Sequence, residues 1–315
     1  MSPVLPSVAL HANRLTVSRL GLGAMPLSLR GRPDRETAKA VVRRAVELGV
    51  TLIDTADAYA LDHTDIGHNE RLIAEALAEV GLRCDGPVVV ATKAGMTRPD
   101  GRWQRDGRPE HLRNACHASL RALGVERISL YQFHSPDPAV DLADSVGALA
   151  RLREEGKVAE IGLSNVSVDQ IRTAERITAV ATVQNALSAW DVGYRRSRVV
   201  EHCAREGIVF LAYAPLGGAA RAARLGESPA LLALGRELEA TPQELALAWL
   251  LREAPIVVPI PGATQARSVE SGVRALSVDL DLRTHRRLIK AFRTLPGSAG
   301  VIRRLSTRLI RLARR

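Results

Sequence analysis

From Leu20 onward, short apolar runs of four to six residues alternate with longer amphipathic segments, and the alternation repeats eight times. The runs predict strands at Leu20–Ala24, Thr51–Thr55, Val88–Thr92, Ile128–Phe133, Ala159–Leu163, Thr182–Asn185, Val209–Tyr213 and Ile256–Pro259. Helical periodicity fills the intervals, and local signals mark several ends. Arg35–Leu48 stops at Gly49, and Asp141–Glu155 stops at Gly156. Pro109 opens Pro109–Leu123, which ends at Gly124. Thr241 and Glu244 form a capping box ahead of Leu245–Leu251. Eight strands, each followed by a helix, predict an α/β fold of the (β/α)8 TIM-barrel type rather than a doubly wound sheet. No internal linker rich in Gly, Pro or Ser divides the chain, so residues 1–297 read as one barrel domain. Ahead of it, Val8–Ala12 and Leu15–Ser18 flank Asn13-Arg14 as a hairpin that would plug the bottom of the barrel.

Charge qualifies this picture. The formal net charge is +10, which suggests a nucleic-acid partner until it is located. Residues 298–315 contain Arg303, Arg304, Arg308, Arg311, Arg314 and Arg315 and no acid; removing those six charges leaves +4 for the rest. The basicity therefore belongs to a tail, and no nucleic-acid partner is expected. In that tail Val301, Ile302, Leu305, Leu309, Ile310 and Leu312 share roughly one helical face, opposite the arginines. Such a helix docks on its own barrel or on another subunit, the alternative being an anionic membrane surface. No apolar run approaches the ~18 residues of a membrane span, and Met1–Arg14 lacks the pattern of a secretory signal. Cys84, Cys116 and Cys203 are odd in number and far apart, which fits a reducing cytoplasm.

Four polar residues stand at strand ends: Asp54 after the second predicted strand, Lys93 after the third, His134 after the fourth, and Tyr59 five residues past Asp54. In a parallel barrel those ends converge on one face, so residues far apart in sequence become neighbours. Together they form an acid–base device. A phenol with pKa near ~10 is a poor proton donor at neutral pH; an adjacent ammonium group lowers that value, and a carboxylate holds the ammonium in place. An imidazole within reach orients a carbonyl or relays a proton. Taken singly, each has a blander reading: Asp54 as a helix cap, Lys93 as a solvated strand-end cation, His134 as a loop histidine, Tyr59 as a cover for the barrel mouth.

The segments Leu52-Ile-Asp54-Thr-Ala-Asp-Ala-Tyr59, Val90-Ala-Thr-Lys93 and Leu130-Tyr-Gln-Phe-His134 resemble the aldo-keto reductase motifs that carry that family's catalytic tetrad. The resemblance continues through Ile161-Gly-Leu-Ser-Asn165, Val183-Gln-Asn185, Ala212-Tyr-Ala-Pro-Leu-Gly217 and Ile260-Pro-Gly-Ala263, and spans residues 15–280. It implies an enzyme that reduces an aldehyde or ketone with NAD(P)H. Tyr59 would be the general acid, Lys93 the group that lowers its pKa, Asp54 the partner of Lys93, and His134 the residue that orients the carbonyl. Ser164, Asn165 and Gln184 would hold the nicotinamide carboxamide, and Tyr213 would stack on the ring. Pro215, Leu216 and Gly217 would meet the pyrophosphate, with Met25 and Asp54 bordering the cofactor.

The adenine end departs from the family pattern. Along Gly262, Ala263 and the residues that follow, the usual Glu-Asn pair falls on Ser271 and Gly272, or on Glu270 and Ser271 after a one-residue shift. Arg267 is placed to take a 2′-phosphate, which favours NADPH over NADH. Gly21-Leu-Gly23-Ala-Met-Pro26 begins like a dinucleotide fingerprint but puts proline where the third glycine belongs, so these glycines instead make room around the first strand. His63, Asp65 and His68 read as a solvated loop rather than a metal site. Trp103, in the long loop Ala94–Arg108, either lines the substrate pocket or packs on its own loop. The competing function is a nucleotide-sensing binding subunit with little turnover.

Overall fold

The computed structural model describes residues 4–10, 15–190 and 198–295. Strands β1 (Ser7–Leu10) and β2 (Leu15–Ser18) pair antiparallel. The intervening Asn13-Arg14 turn and the tail 298–315 lie outside the described residues. The chain then enters β3 (Leu22–Gly23), β4 (Leu52–Asp54) and β5 (Val89–Ala94), makes a small hairpin from β6 (Met96–Thr97) and β7 (Gln104–Arg105), and continues through β8 (Ile128–Phe133), β9 (Val158–Ser164), β10 (Thr182–Ala186), β11 (Val209–Tyr213) and β12 (Val257–Ile260). The sheet orders its eight strands β3-β4-β5-β8-β9-β10-β11-β12, every neighbour parallel.

A parallel bridge between Gly23 and Gly262 brings the two edges together. Beside it, the Gly23 N–H donates to Pro261 O at 3.0 Å and the Gly21 N–H to Pro259 O at 3.0 Å. A Cβ at Gly23 would sit 2.7 Å from Ile260 O, so only glycine allows this close approach. The expected (β/α)8 barrel is thus the observed one.

Helices α1 (Arg35–Glu47), α2 (His68–Ala78), α3 (Pro109–Leu123), α4 (Leu142–Glu154), α5 (Val168–Glu175) and α6 (Val199–Glu206) alternate with the strands. After β11 come α7 (Ala219–Leu225), α8 (Pro229–Glu237) and α9 (Pro242–Glu253); after β12 come α10 (Ala266–Arg274) and α11 (Leu282–Arg293). Their ends follow the local signals. Asp141 caps α4 by accepting the Ala143 N–H, Gly124 closes α3 in a left-handed conformation, and the Thr241/Glu244 capping box is formed.

Two apolar layers result from the period-2 alternation of the strands. Ile53, Val90, Phe133, Leu163, Val183 and Phe210 face outward into the layer under the helices. Leu52, Val89, Ala91, Leu130, Val209, Leu211 and Val258 face inward, and Leu10 and Val17 of the hairpin join them from below. The hairpin therefore does plug the barrel. Two residues further along the inward faces, the lining turns polar: Asp54, Lys93, Gln132 and Gln184 are all buried there. Among the described residues no helix is long and apolar enough to cross a membrane.

Candidate active site

Lys93 is fully buried at the top of β5, and its Nζ makes three short contacts: Asp54 Oδ2 at 2.7 Å, Thr55 O at 2.8 Å and Tyr59 Oη at 2.9 Å. Asp54 is held in turn through its other oxygen, which accepts from Gln184 Nε2 at 2.6 Å and from Gln132 Nε2 at 3.2 Å. The His134 ring lies edge-on to Tyr59, with centroids 5.8 Å apart. Trp103 closes the triangle at 6.4 Å from Tyr59 and 6.1 Å from His134. The four residues predicted from strand ends are therefore brought together. Trp103 packs on its own loop, carrying the Arg98 guanidinium 4.3 Å above its ring, with its edge beside Tyr59 and His134.

Burial acts on both Tyr59 and Lys93. Burial pushes the Tyr59 phenol well above its ordinary value, and the negative charge of Asp54 pushes the same way. Burial likewise draws the Lys93 ammonium downward, against the pull of Asp54. Desolvation penalises the charged form of each group in a site this buried. The resting site thus holds a neutral phenol. His134 is lowered well below the ordinary imidazole value by burial and then by Lys93, so it too is neutral, and its Nδ1 has no hydrogen-bond partner among the described residues.

The residues expected to hold a cofactor form an arc from this mouth. Ser164, Asn165, Gln184 and Tyr213 cluster at the ends of β9, β10 and β11, but their polar groups already close on protein partners. Asn165 Nδ2 donates to His134 O at 2.9 Å and to Ser164 Oγ at 3.1 Å, while its Oδ1 accepts from Tyr213 Oη at 2.8 Å. Asn165 (φ 60°), Ala214 (φ 46°) and Gly217 (φ 79°) hold left-handed backbone conformations, and a Cβ at Gly217 would meet Trp190 at 2.5 Å. Pro215 is buried, Leu216 half-buried, and Met25 remains exposed beyond β3.

At the far end of the arc, Gly262 lies at the seam and Ala263 is buried behind it. Arg267 stands exposed in the first turn of α10. Neither expected register for the adenine pair leaves its side chains free. Ser271 Oγ donates to Glu244 Oε1 at 2.8 Å, and Glu270 accepts from Arg44 Nε at 2.8 Å. Both tie α10 to neighbouring helices, which is where these polar groups find partners in the described structure.

The Aldo/keto reductase family model matches residues 19–291, nearly the whole barrel. The chain belongs to the aldo/keto reductase family. Among its relatives it is similar to an uncharacterized oxidoreductase of Schizosaccharomyces pombe, 34% identical over 84% of this chain and 84% of that protein. It is also similar to a probable aldo-keto reductase of Glycine max, 32% identical over 90% of this chain and 88% of that one. Its fold resembles a glycerol dehydrogenase of Gluconobacter oxydans (TM-score 0.78, 23% identity, 92% and 96% of the two chains). It also resembles an aldo/keto reductase of Klebsiella pneumoniae solved with NADP and acetate (TM-score 0.76, 24% identity, 92% and 96%). This aldo/keto reductase is accordingly an oxidoreductase of the NAD(P)H-dependent, carbonyl-reducing kind.

Gln132 is a buried partner of Asp54 that strand-end reasoning missed. It lies inside β8, two residues before His134, where an apolar side chain is expected. Its inward register opposite Lys93 and Gly162 sets it against Asp54. Gly162 makes this fit, because a Cβ there would sit 2.8 Å from Gln132 Cγ. A polar residue on the inward phase of an otherwise apolar strand was the available signal.

Proposed function

We propose that this aldo/keto reductase reduces a small-molecule aldehyde or ketone at the expense of NADPH, with Tyr59 donating the proton. The bound nicotinamide supplies the hydride, and the protein positions, protonates and excludes water. One observation carries the reading: all three hydrogens of the Lys93 ammonium are directed inward, to Asp54, Thr55 and the Tyr59 oxygen. Because the tyrosine oxygen accepts from Lys93, its own hydrogen is left to point into the mouth walled by His134 and Trp103. A carbonyl oxygen seated there meets that hydrogen and the neutral imidazole of His134.

As negative charge develops on the substrate oxygen, the oxygen becomes more basic than a phenolate and takes the proton. The Lys93 contact then stabilises the phenolate left behind.

The arc supports a nicotinamide cofactor, whose carboxamide would replace the bonds that Asn165 makes to Ser164 and Tyr213. The strand-end amides and Tyr213 would hold the nicotinamide, and the left-handed turn at Ala214–Gly217 opens a path for the pyrophosphate. Exposed Arg267 offers a bidentate partner for a 2′-phosphate, which supports NADPH over NADH. A cytoplasmic enzyme is the matching setting for three buried, unpaired cysteines.

Tyr59→Phe should still bind NADPH, measured by quenching of tryptophan fluorescence, and should lose about 10²-fold or more of its rate on a test aldehyde. Undiminished turnover would remove Tyr59 from the mechanism.

A further inference from the structure

The loop that carries Trp103 also carries four arginines, and three of them are engaged. Arg98 stacks on Trp103 and donates to Ala60 O and Leu61 O, both at 3.2 Å. Arg102 meets Asp100 at 3.4 Å, and Arg108 meets Asp106 at 2.6 Å. Arg105 differs. Its Nε donates to Ser135 Oγ at 3.1 Å, while among the described residues its two terminal nitrogens have no hydrogen-bond partner and no acid lies within ion-pair distance, Asp137 being the acid that feels its charge. Trp103 and Arg105 are two residues apart along the extended segment that ends in β7, so they share a side of it. Trp103 meets the His134 ring, and Arg105 meets Ser135, the next residue.

Arg105 and Ser135 line a cleft of about 410 Å³, together with Asp137, Val140, Leu142 and Asn165. That volume suits a small organic molecule. Asn165 bonds the His134 carbonyl and Tyr213, so the cleft adjoins the residues assigned above to the carbonyl and the nicotinamide.

We propose that Arg105, steadied by Ser135, is a specificity residue that binds a carboxylate on the far end of the carbonyl substrate. The chemistry follows from what is free. A guanidinium anchored through Nε presents its terminal N–H groups as a fork, which matches the two oxygens of a carboxylate. Val140 and Leu142 add apolar lining to the same cleft. Asp137 opposes an anion in the cleft, yet its oxygens are turned to the main chain, accepting the Gly107 N–H at 3.0 Å and the Ala139 N–H at 3.0 Å. That opposing charge and the exposure of Arg105 limit the expected preference to about tenfold.

The inference rests on the carbonyl-reductase reading, and one assay separates the two. Purified full-length enzyme is given NADPH with 4-carboxybenzaldehyde or with 4-methylbenzaldehyde, and kcat/KM is measured for each. The acid should be favoured about tenfold at low salt, mainly through KM, and the preference should shrink as NaCl rises from about 50 mM to about 500 mM. Arg105→Gln should remove most of the preference and its salt dependence. Arg105→Lys, which keeps the charge without the fork, should retain part of it. A ratio that neither variant moves overturns the carboxylate subsite while leaving carbonyl reduction standing. A wild-type enzyme that reduces neither aldehyde overturns carbonyl reduction, and the subsite with it.

Discussion

At the scale of the residue, the sign of each pKa shift decides how the enzyme should respond to pH. With Tyr59 as the proposed acid, reduction would need it protonated, and burial raises its phenol, so that acid would be lost only on the alkaline side of its ordinary ~10. His134 is shifted the other way, so its imidazole takes up a proton only on the acid side of the ordinary ~6.5. Between those limits neither group changes charge. Plots of kcat/KM for carbonyl reduction should therefore show no inflection from Tyr59 or His134 between about pH 6.5 and about pH 9. An inflection inside that range that disappears in His134→Gln would show the imidazole titrating during turnover and would contradict its neutral state. Asp54, Lys93 and His134 were legible because each stands at or beside a strand end, and Tyr59 because it follows Asp54 by five residues. The direction of the tyrosine shift was not legible, because proximity to Lys93 could be inferred from topology while the dryness around both groups could not.

At the scale of the element, helix ends were the most readable part of the chain. Caps depend on neighbours within four residues, so Thr241 with Glu244, and Pro109 with Gly124, announce themselves. The same Glu244 also receives Ser271 and Arg274 from α10, the latter at 2.7 Å, so the cap of α9 also anchors the helix that carries Arg267. Thr241→Ala should cost about 1 kcal/mol of unfolding free energy in urea titration, the usual worth of a side-chain N-cap. A loss indistinguishable from zero would mean that α10 contacts alone position this end of α9. Strand lengths were less readable: the first barrel strand, expected over Leu20–Ala24, pairs as a strand only over Leu22–Gly23. Pairing needs a partner at each position, and β4 supplies Ile53 and Asp54 alone.

At the scale of the whole molecule, the barrel encloses its own apolar floor and hairpin plug within residues 4–295. We propose that residues 1–297 fold and turn over without the arginine-rich segment. Removing residues 298–315 should leave carbonyl reduction within about twofold and the melting temperature within a few degrees, the scale of ~1 kcal/mol. A collapse of either would show that the segment docks on the barrel as part of the domain. Co-sedimentation with anionic vesicles should be the same for full-length and shortened chains, and binding lost on shortening would reassign the segment to a membrane surface.

What the sequence determined by itself is whatever short-range pattern encodes. Apolar periodicity set eight strand–helix units, local caps set the helix ends, and chain order placed Asp54, Tyr59, Lys93 and His134 at strand ends that must converge. Tertiary structure decided everything that depends on which distant side chain arrives next to which. It gave Gln132 and Gln184 to Asp54 and drew Glu270 and Ser271 into helix packing. It turned Trp103 over the mouth beside Tyr59 and His134, left the terminal nitrogens of Arg105 without a hydrogen-bond partner among the described residues, and buried the Tyr59 phenol, which raises its pKa. The reason is physical: hydrogen-bond partnership and desolvation depend on the assembled surroundings, and those exist only once the barrel has closed.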